Sequence, residues 1–236
     1  MTVHHAHIAA RPELAGRRSL FLDLPGHGVG DRPEDFGYTL EGYADALATA
    51  LDAADPPGGE VVAHRMDGLV ALVLAHRRPA LVSRLVLTEA NLDVSPPATA
   101  GSTWIDAYEE DDFVAGAHAR VLKKFGPVGG DHPVGRPARP APQRDRAQAR
   151  IACTCWPCRR HCPPRRTPSS PTPMMRAILE ELSIDRVYLH GELSGELEGR
   201  KMLEASGVRV VTVPGAGHNV MLDNPDAVVA AVAGTE

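Results

Sequence analysis

Apolar positions along the chain fall into two alternating patterns. Residues 19–23, "SLFLD", form a short apolar run ending in the Gly/Pro-rich turn "LPGHGVGDRP", as buried parallel strands do. "TLEGYADALATALDAA" then places Leu40, Tyr43, Leu47, Ala50 and Leu51 at helical spacing, with Thr39 as a candidate N-cap. "EVVAH" reads as a second strand and "MDGLVALVLAHRR" as a second helix that stops before Pro79. "SRLVLTEA" is a third strand. Beyond residue 173 the pattern predicts a helix over 174–182, the strand "RVYLHG", a helix over 198–205, the strand "VRVVTVPG" and a last helix over 225–232. Such alternation needs crossover connections, so it predicts an α/β fold: a mostly parallel sheet with helices on both faces. Sites in such folds lie at the C-terminal ends of strands, which directs attention to "DLPGHG", "AHRMDG", "TEANLD", "HGELSGE" and "PGAGHN".

One block breaks the pattern and divides the chain into a core part over 1–125, an insertion over 126–173 and a second core part over 174–236. The insertion is dense in arginine and proline, has Asp131 and Asp145 as its acids, and shows no apolar periodicity. Proline blocks long helices and the few apolar residues cannot offset ordering entropy, so disorder is expected. Cys153, Cys155, Cys158, His161 and Cys162 supply enough ligands for zinc, but their spacing matches no finger or ribbon, and no metal is assigned. The arginines lack the interleaved aromatics of a nucleic-acid platform. The irregular mixture of Arg, Pro, Ala and Cys also reads like a GC-rich gene translated off frame.

Bulk properties narrow the class. With 236 residues, 43% hydrophobic content and a net charge of -5, the chain can bury a sizeable core and is not built for nucleic acid. No run of about 18 apolar residues exists and "MTVHHAHIAARPELAGRR" lacks a signal peptide's apolar stretch, which places the protein in the cytoplasm, away from membranes.

Taken in order, the five strand-end segments resemble the α/β-hydrolase family over residues 13–125 and 172–234. "VVAHRMDGLVAL" aligns with its G-x-S-x-G nucleophile elbow and "VPGAGHNVMLDNPDAV" with the segment carrying its catalytic histidine. The resemblance implies a truncated, degenerate serine hydrolase: Ala63 takes the first glycine position, Arg65 the serine position and Asp67 the second glycine position. A guanidinium has donors but no lone pair, so Arg65 cannot attack a carbonyl. Loss of the serine removes about a million-fold of rate in such enzymes. By its "GAGHN" context, His218 matches the catalytic base, although a neighbouring Arg65 cation disfavours the imidazolium a base must become.

The acid of the triad is ambiguous. Its usual place, "ELSGE", offers Ser194 where an aspartate belongs, flanked by Glu192 and Glu196, whereas the end of the preceding strand offers Glu89 and Asp93. Glu89 is the preferred candidate, and Glu89 or Asp67 is also expected to pair with Arg65. Met66 is positioned to offer one oxyanion amide, a donor worth about 3 kcal/mol, while the loop that supplies the other is not evident ahead of "DLPGHG". His4, His5 and His7 read as a frayed terminus. Without the family's intervening strand, "SLFLD" and "EVVAH" must slide together or leave apolar edges exposed to self-association. No cofactor is implied, and the small-molecule ligand is unspecified. Two functional readings follow: a hydrolase fold without serine chemistry, inert or retained as a binding scaffold, and a weak hydrolase in which His218 activates water while Arg65 holds an anion or oxyanion.

Overall fold

A computed structural model describes residues 4–33, 35–54, 58–93, 115–116 and 175–235; the expectations for 126–173, including the cysteine cluster, fall outside them. The chain divides into two compact units, one of residues 1–24, 40–94 and 168–236 and one of residues 25–39 and 95–167. In the second unit, the Gly-rich turn is closed by the Gly26 N–H donating to Asp31 O at 2.7 Å, and Phe36 packs edge-on to Tyr38.

The first unit carries the sheet. β1 (Gly59–His64), β2 (Val82–Thr88), β3 (Asp185–Gly191) and β4 (Arg209–Val213) are parallel neighbours in chain order. With that order, right-handed crossovers put the connecting helices on one face. These are α3 (Met66–Arg77), α4 (Met175–Glu181) and α5 (Arg200–Ala205), with α2 (Leu40–Ala54) packed on α3. α1 (Ala6–Ala9), α6 (Val220–Asp223) and α7 (Pro225–Ala233) supply the other layer. Covered on both sides, β2 is apolar in consecutive positions: Leu87 packs at Gly68 of α3, while Val86 joins Val187, Leu189 and Val213 against Val228 and Val232 of α7. Local chemistry sets the bounds of α7. Pro225 opens it, the Asn224 Oδ1 accepts the Ala227 N–H at 3.2 Å, and Gly234 ends it at φ 72°.

Two expectations are corrected here. From residue 4 the N-terminus is docked rather than frayed. Ile8 and Leu14 are buried in the α7-side core, His7 Nε2 lies 2.9 Å from Met221 O, and Arg17 donates to Val232 O at 2.9 Å. Burial of two such side chains contributes about 2 kcal/mol each, enough to hold a short helix that propensity alone would not. Residues 19–23, in contrast, form no strand. Among the described residues they make no backbone hydrogen bond to β1, and Leu20 and Phe21 are 50% and 37% exposed. A strand exists by virtue of a partner that accepts its N–H and C=O groups, and here the two segments have not slid together. No helix among the described residues is long and apolar enough to cross a membrane.

Candidate functional site

Strand register assembles the site. His64 pairs with Thr88 and Thr88 with Leu189, so Arg65, Glu89 and His190 follow at successive positions along the C-terminal edge, and β4 ends beside them at Val213. Arg65 is the apex of a tight strand-to-helix turn, with φ 50° and ψ -117°. Its N–H donates to Thr88 O at 3.0 Å and its carbonyl accepts the Gly68 N–H at 3.1 Å. A Cβ on Gly68 would stand 2.8 Å from the Ala90 Cβ. Close approach of helix and strand is thus achieved one residue beyond Asp67, which explains how an aspartate occupies the second glycine position. Met66 begins α3 immediately after the apex.

The Arg65 residue is exposed as a whole. Its guanidinium is nevertheless desolvated enough to lower its pKa, against an opposing pull from Glu89, and remains a cation. Among the described residues it has no side-chain hydrogen bond or ion pair, so the expected Arg65–Glu89 pair is not made.

The Glu89 carboxylate is engaged elsewhere. Glu89 is 8% exposed and sits at φ 50°. Its Oε1 accepts the Gly191 N–H at 2.7 Å and lies 3.0 Å from His190 Nδ1, and its Oε2 lies 3.3 Å from His218 Nδ1. Burial pushes this carboxyl upward, but the His218 and Gly191 hydrogen bonds and the charge interactions with His190 and His218 outweigh it and hold it below the usual carboxylate range. His218 rides on the 214–219 loop, which is tied down by Leu193 N–H to Ala216 O at 2.9 Å and Gly217 N–H to Asp223 Oδ2 at 2.9 Å. Its Nε2 is buried with no hydrogen-bond partner among the described residues.

The other acids are placed apart. Asp93 forms a forked ion pair with Arg176, Glu192 accepts the Gly215 N–H at 2.9 Å from an exposed position, and Ser194 and Glu196 are exposed. Two site residues escaped the sequence reading. His190 is 7% exposed with Nε2 2.8 Å from Gly195 O. His64 places Nδ1 3.0 Å from both Thr88 O and Oγ1, with its ring 5.2 Å from that of His218; burial, followed by the His218 charge, pushes its pKa down to about 3. Each stands at or next to the last residue of an apolar strand, where an ionisable side chain is out of pattern. An open cleft of about 760 Å³, lined by His190, Glu192, Glu196, Arg200, Met202 and Thr212 among others, adjoins this edge. What the arrangement provides among the described residues is a carboxylate–histidine couple with an arginine at the apex of the neighbouring turn.

Comparison with known proteins bears on the fold and the family. A 2-hydroxymuconate semialdehyde hydrolase of Pseudomonas sp. (strain CF600) is 38% identical over 91 residues, which is 38% of this chain and 32% of that protein. An esterase of Mycobacterium tuberculosis (strain ATCC 25618 / H37Rv) is 39% identical over 83 residues, 35% of this chain and 26% of that one. Each match thus spans a third or less of the relative's own length. Among solved structures, an esterase from Exiguobacterium antarcticum superposes with a TM-score of 0.67 at 16% identity, covering 99% of this chain and 86% of that one, which shows a shared fold. The sequence profile of the Alpha/beta hydrolase family matches residues 4–231, and the chain belongs to that family.

Proposed function

We propose that this chain is a hydrolase-fold protein related to ester and acyl hydrolases from which serine chemistry has been removed at Arg65, leaving an inert or ligand-binding scaffold. The observation that carries the reading is the elbow itself: the strained turn is kept at φ 50°, but its apex bears a guanidinium that has no lone pair. The carboxylate–histidine couple supports descent from a catalyst, because Glu89 still holds His218 Nδ1 and leaves Nε2 without a partner among the described residues. The cleft beside the strand ends gives a scaffold room for a small molecule. In such a scaffold Glu89 is the acid of the former triad, His218 its base, and the Met66 amide the remaining oxyanion donor.

A second reading rests on the same Nε2. With Glu89 behind it, His218 can draw a proton from water while Arg65 holds the developing anion. A panel of activated esters separates the two. The scaffold reading expects no burst of product and no turnover beyond that of His218→Ala. Turnover that disappears with His218→Ala establishes the second reading and overturns the first. Arg65→Ser is expected to introduce burst kinetics on short acyl esters, which reports that the surrounding site is still competent.

A further inference from the structure

Glu89 is gripped by more donors than a triad acid requires. The two shorter contacts, Gly191 N–H at 2.7 Å and His190 Nδ1 at 3.0 Å, both converge on Oε1, and the longer one, to His218 Nδ1 at 3.3 Å, is alone on Oε2. His190 is itself fixed from the other side, since its Nε2 lies 2.8 Å from the carbonyl of Gly195. The buried ring therefore bridges the turn after β3 to the end of β2, with an oxygen acceptor facing each nitrogen.

This grip matters because Glu89 has a competitor for its charge. The torsion that orients a glutamate carboxylate is soft and roughly two-fold, so one anchor does not decide which oxygen faces which partner. The Arg65 guanidinium attracts Glu89 electrostatically and has no ion-pair partner of its own among the described residues. A carboxylate held only by the Gly191 N–H would be free to turn toward that cation, and His218 would then lose the one side-chain partner that Nδ1 has among the described residues. Among the described residues, the charged and titratable groups around the carboxylate are His190 and Tyr188 from β3, His218 from the loop after β4, and Arg65 from the elbow.

We propose that His190 is a positioning residue: by anchoring Oε1 of Glu89 it presents Oε2 to His218 and keeps the carboxylate from collapsing onto Arg65. The inference holds whether or not any catalysis survives, because it concerns the geometry of the couple and not its turnover. It assigns His190 no contact with substrate.

The test uses two polar substitutions of similar size. The amide of His190→Asn reaches where Nδ1 stood and keeps a donor for Glu89, whereas that of His190→Gln reaches where Nε2 stood and keeps only the Gly195 contact. The readout is the hydrogen-bonded Nδ1–H resonance of His218 in full-length protein labelled with ¹⁵N-histidine. It is expected to persist in His190→Asn and to be lost in His190→Gln, and to return in the double variant His190→Gln/Arg65→Ala, where the competing cation is gone. A signal that survives unchanged in folded His190→Gln overturns the proposal. So does its loss in His190→Asn, or failure of that variant to fold, because Asn retains the one bond on which the positioning depends.

Discussion

At the elbow, a single residue carries strain without the function that usually accompanies it. Arg65 is a non-glycine residue at φ 50°, a conformation that costs about 1–3 kcal/mol and persists because its N–H and C=O are both tied into the turn. Glycine adopts the same angles freely, at an entropic cost of about 0.5–1 kcal/mol. Arg65→Gly is therefore expected to stabilise the protein by about 1 kcal/mol in urea unfolding. A clear loss of stability would falsify the view that the guanidinium makes no important contact. The histidines make an acid-side prediction. Burial is the first cause of the low values of His64, about 3, and His5, about 4, so both are neutral when folded. A histidine lowered in the folded state leaves stability intact above the unfolded value near 6.5 and withdraws it as pH falls from there toward the folded values. Glu89, also lowered, contributes stability that is lost only once pH drops below the ordinary carboxylate value. The two histidines therefore make urea midpoints fall steadily between pH 6.5 and 4, Glu89 adds to the fall below the ordinary carboxylate value, and His64→Asn should flatten the slope. A flat profile in the parent protein would show that the two histidines are not buried neutral. Arg65, Glu89 and His218 were open to sequence reading as candidates, because they stand in segments that resemble family motifs. His64 and His190 were not, because their significance lies in partners: His190 meets Glu89 only through the pairing of β2 with β3.

Single glycines at strand ends decide how elements meet. A Cβ on Gly191 would lie 2.3 Å from Gly217 O and 2.6 Å from Ala216 O, both backbone atoms of the loop that carries His218. Neither atom can step aside without moving that loop, so Gly191→Ala is expected to cost about 1–3 kcal/mol and to separate His218 from Glu89. Gly59, at the start of β1, has open space around its Cβ position. Gly59→Ala should stay within about 0.5 kcal/mol, and equal losses for the two variants in urea titration would refute the steric argument. The same local chemistry explains what the sequence pattern captured about elements. Helices with apolar spacing and clear stops, such as α2, α3 and α7, were found to within a residue or two. The helix read over 198–205 starts at Arg200 instead, because Gly199 stands at φ 67° and cannot lie inside it. Residues 19–23 have the composition of a strand and fail as one for want of a neighbour, which no local pattern encodes.

Across the whole molecule, the sheet ends in two edges, β1 and β4, with no further strand paired to either among the described residues. Beyond β2, β1 makes no backbone ladder contact with them, and "GEVVAH" contains neither proline nor lysine, the residues that commonly guard an edge. Arg17, ahead of the unpaired apolar stretch, reaches Glu60 of β1 at 3.9 Å, and exposed Leu20 and Phe21 come three and four residues after it. A second copy of the chain can meet this edge about a two-fold axis in an antiparallel register that sets Glu60 opposite Ala63 and Gly59 opposite His64, with no like charges face to face. Such pairing satisfies β1 hydrogen-bonding groups and covers apolar surface at once, and both terms favour it. Sedimentation velocity across a concentration series is expected to show reversible self-association. Leu20→Lys/Phe21→Lys should weaken it without lowering the urea midpoint, because both side chains are already exposed. A single monomeric species at every concentration would mean that the edge is shielded in solution.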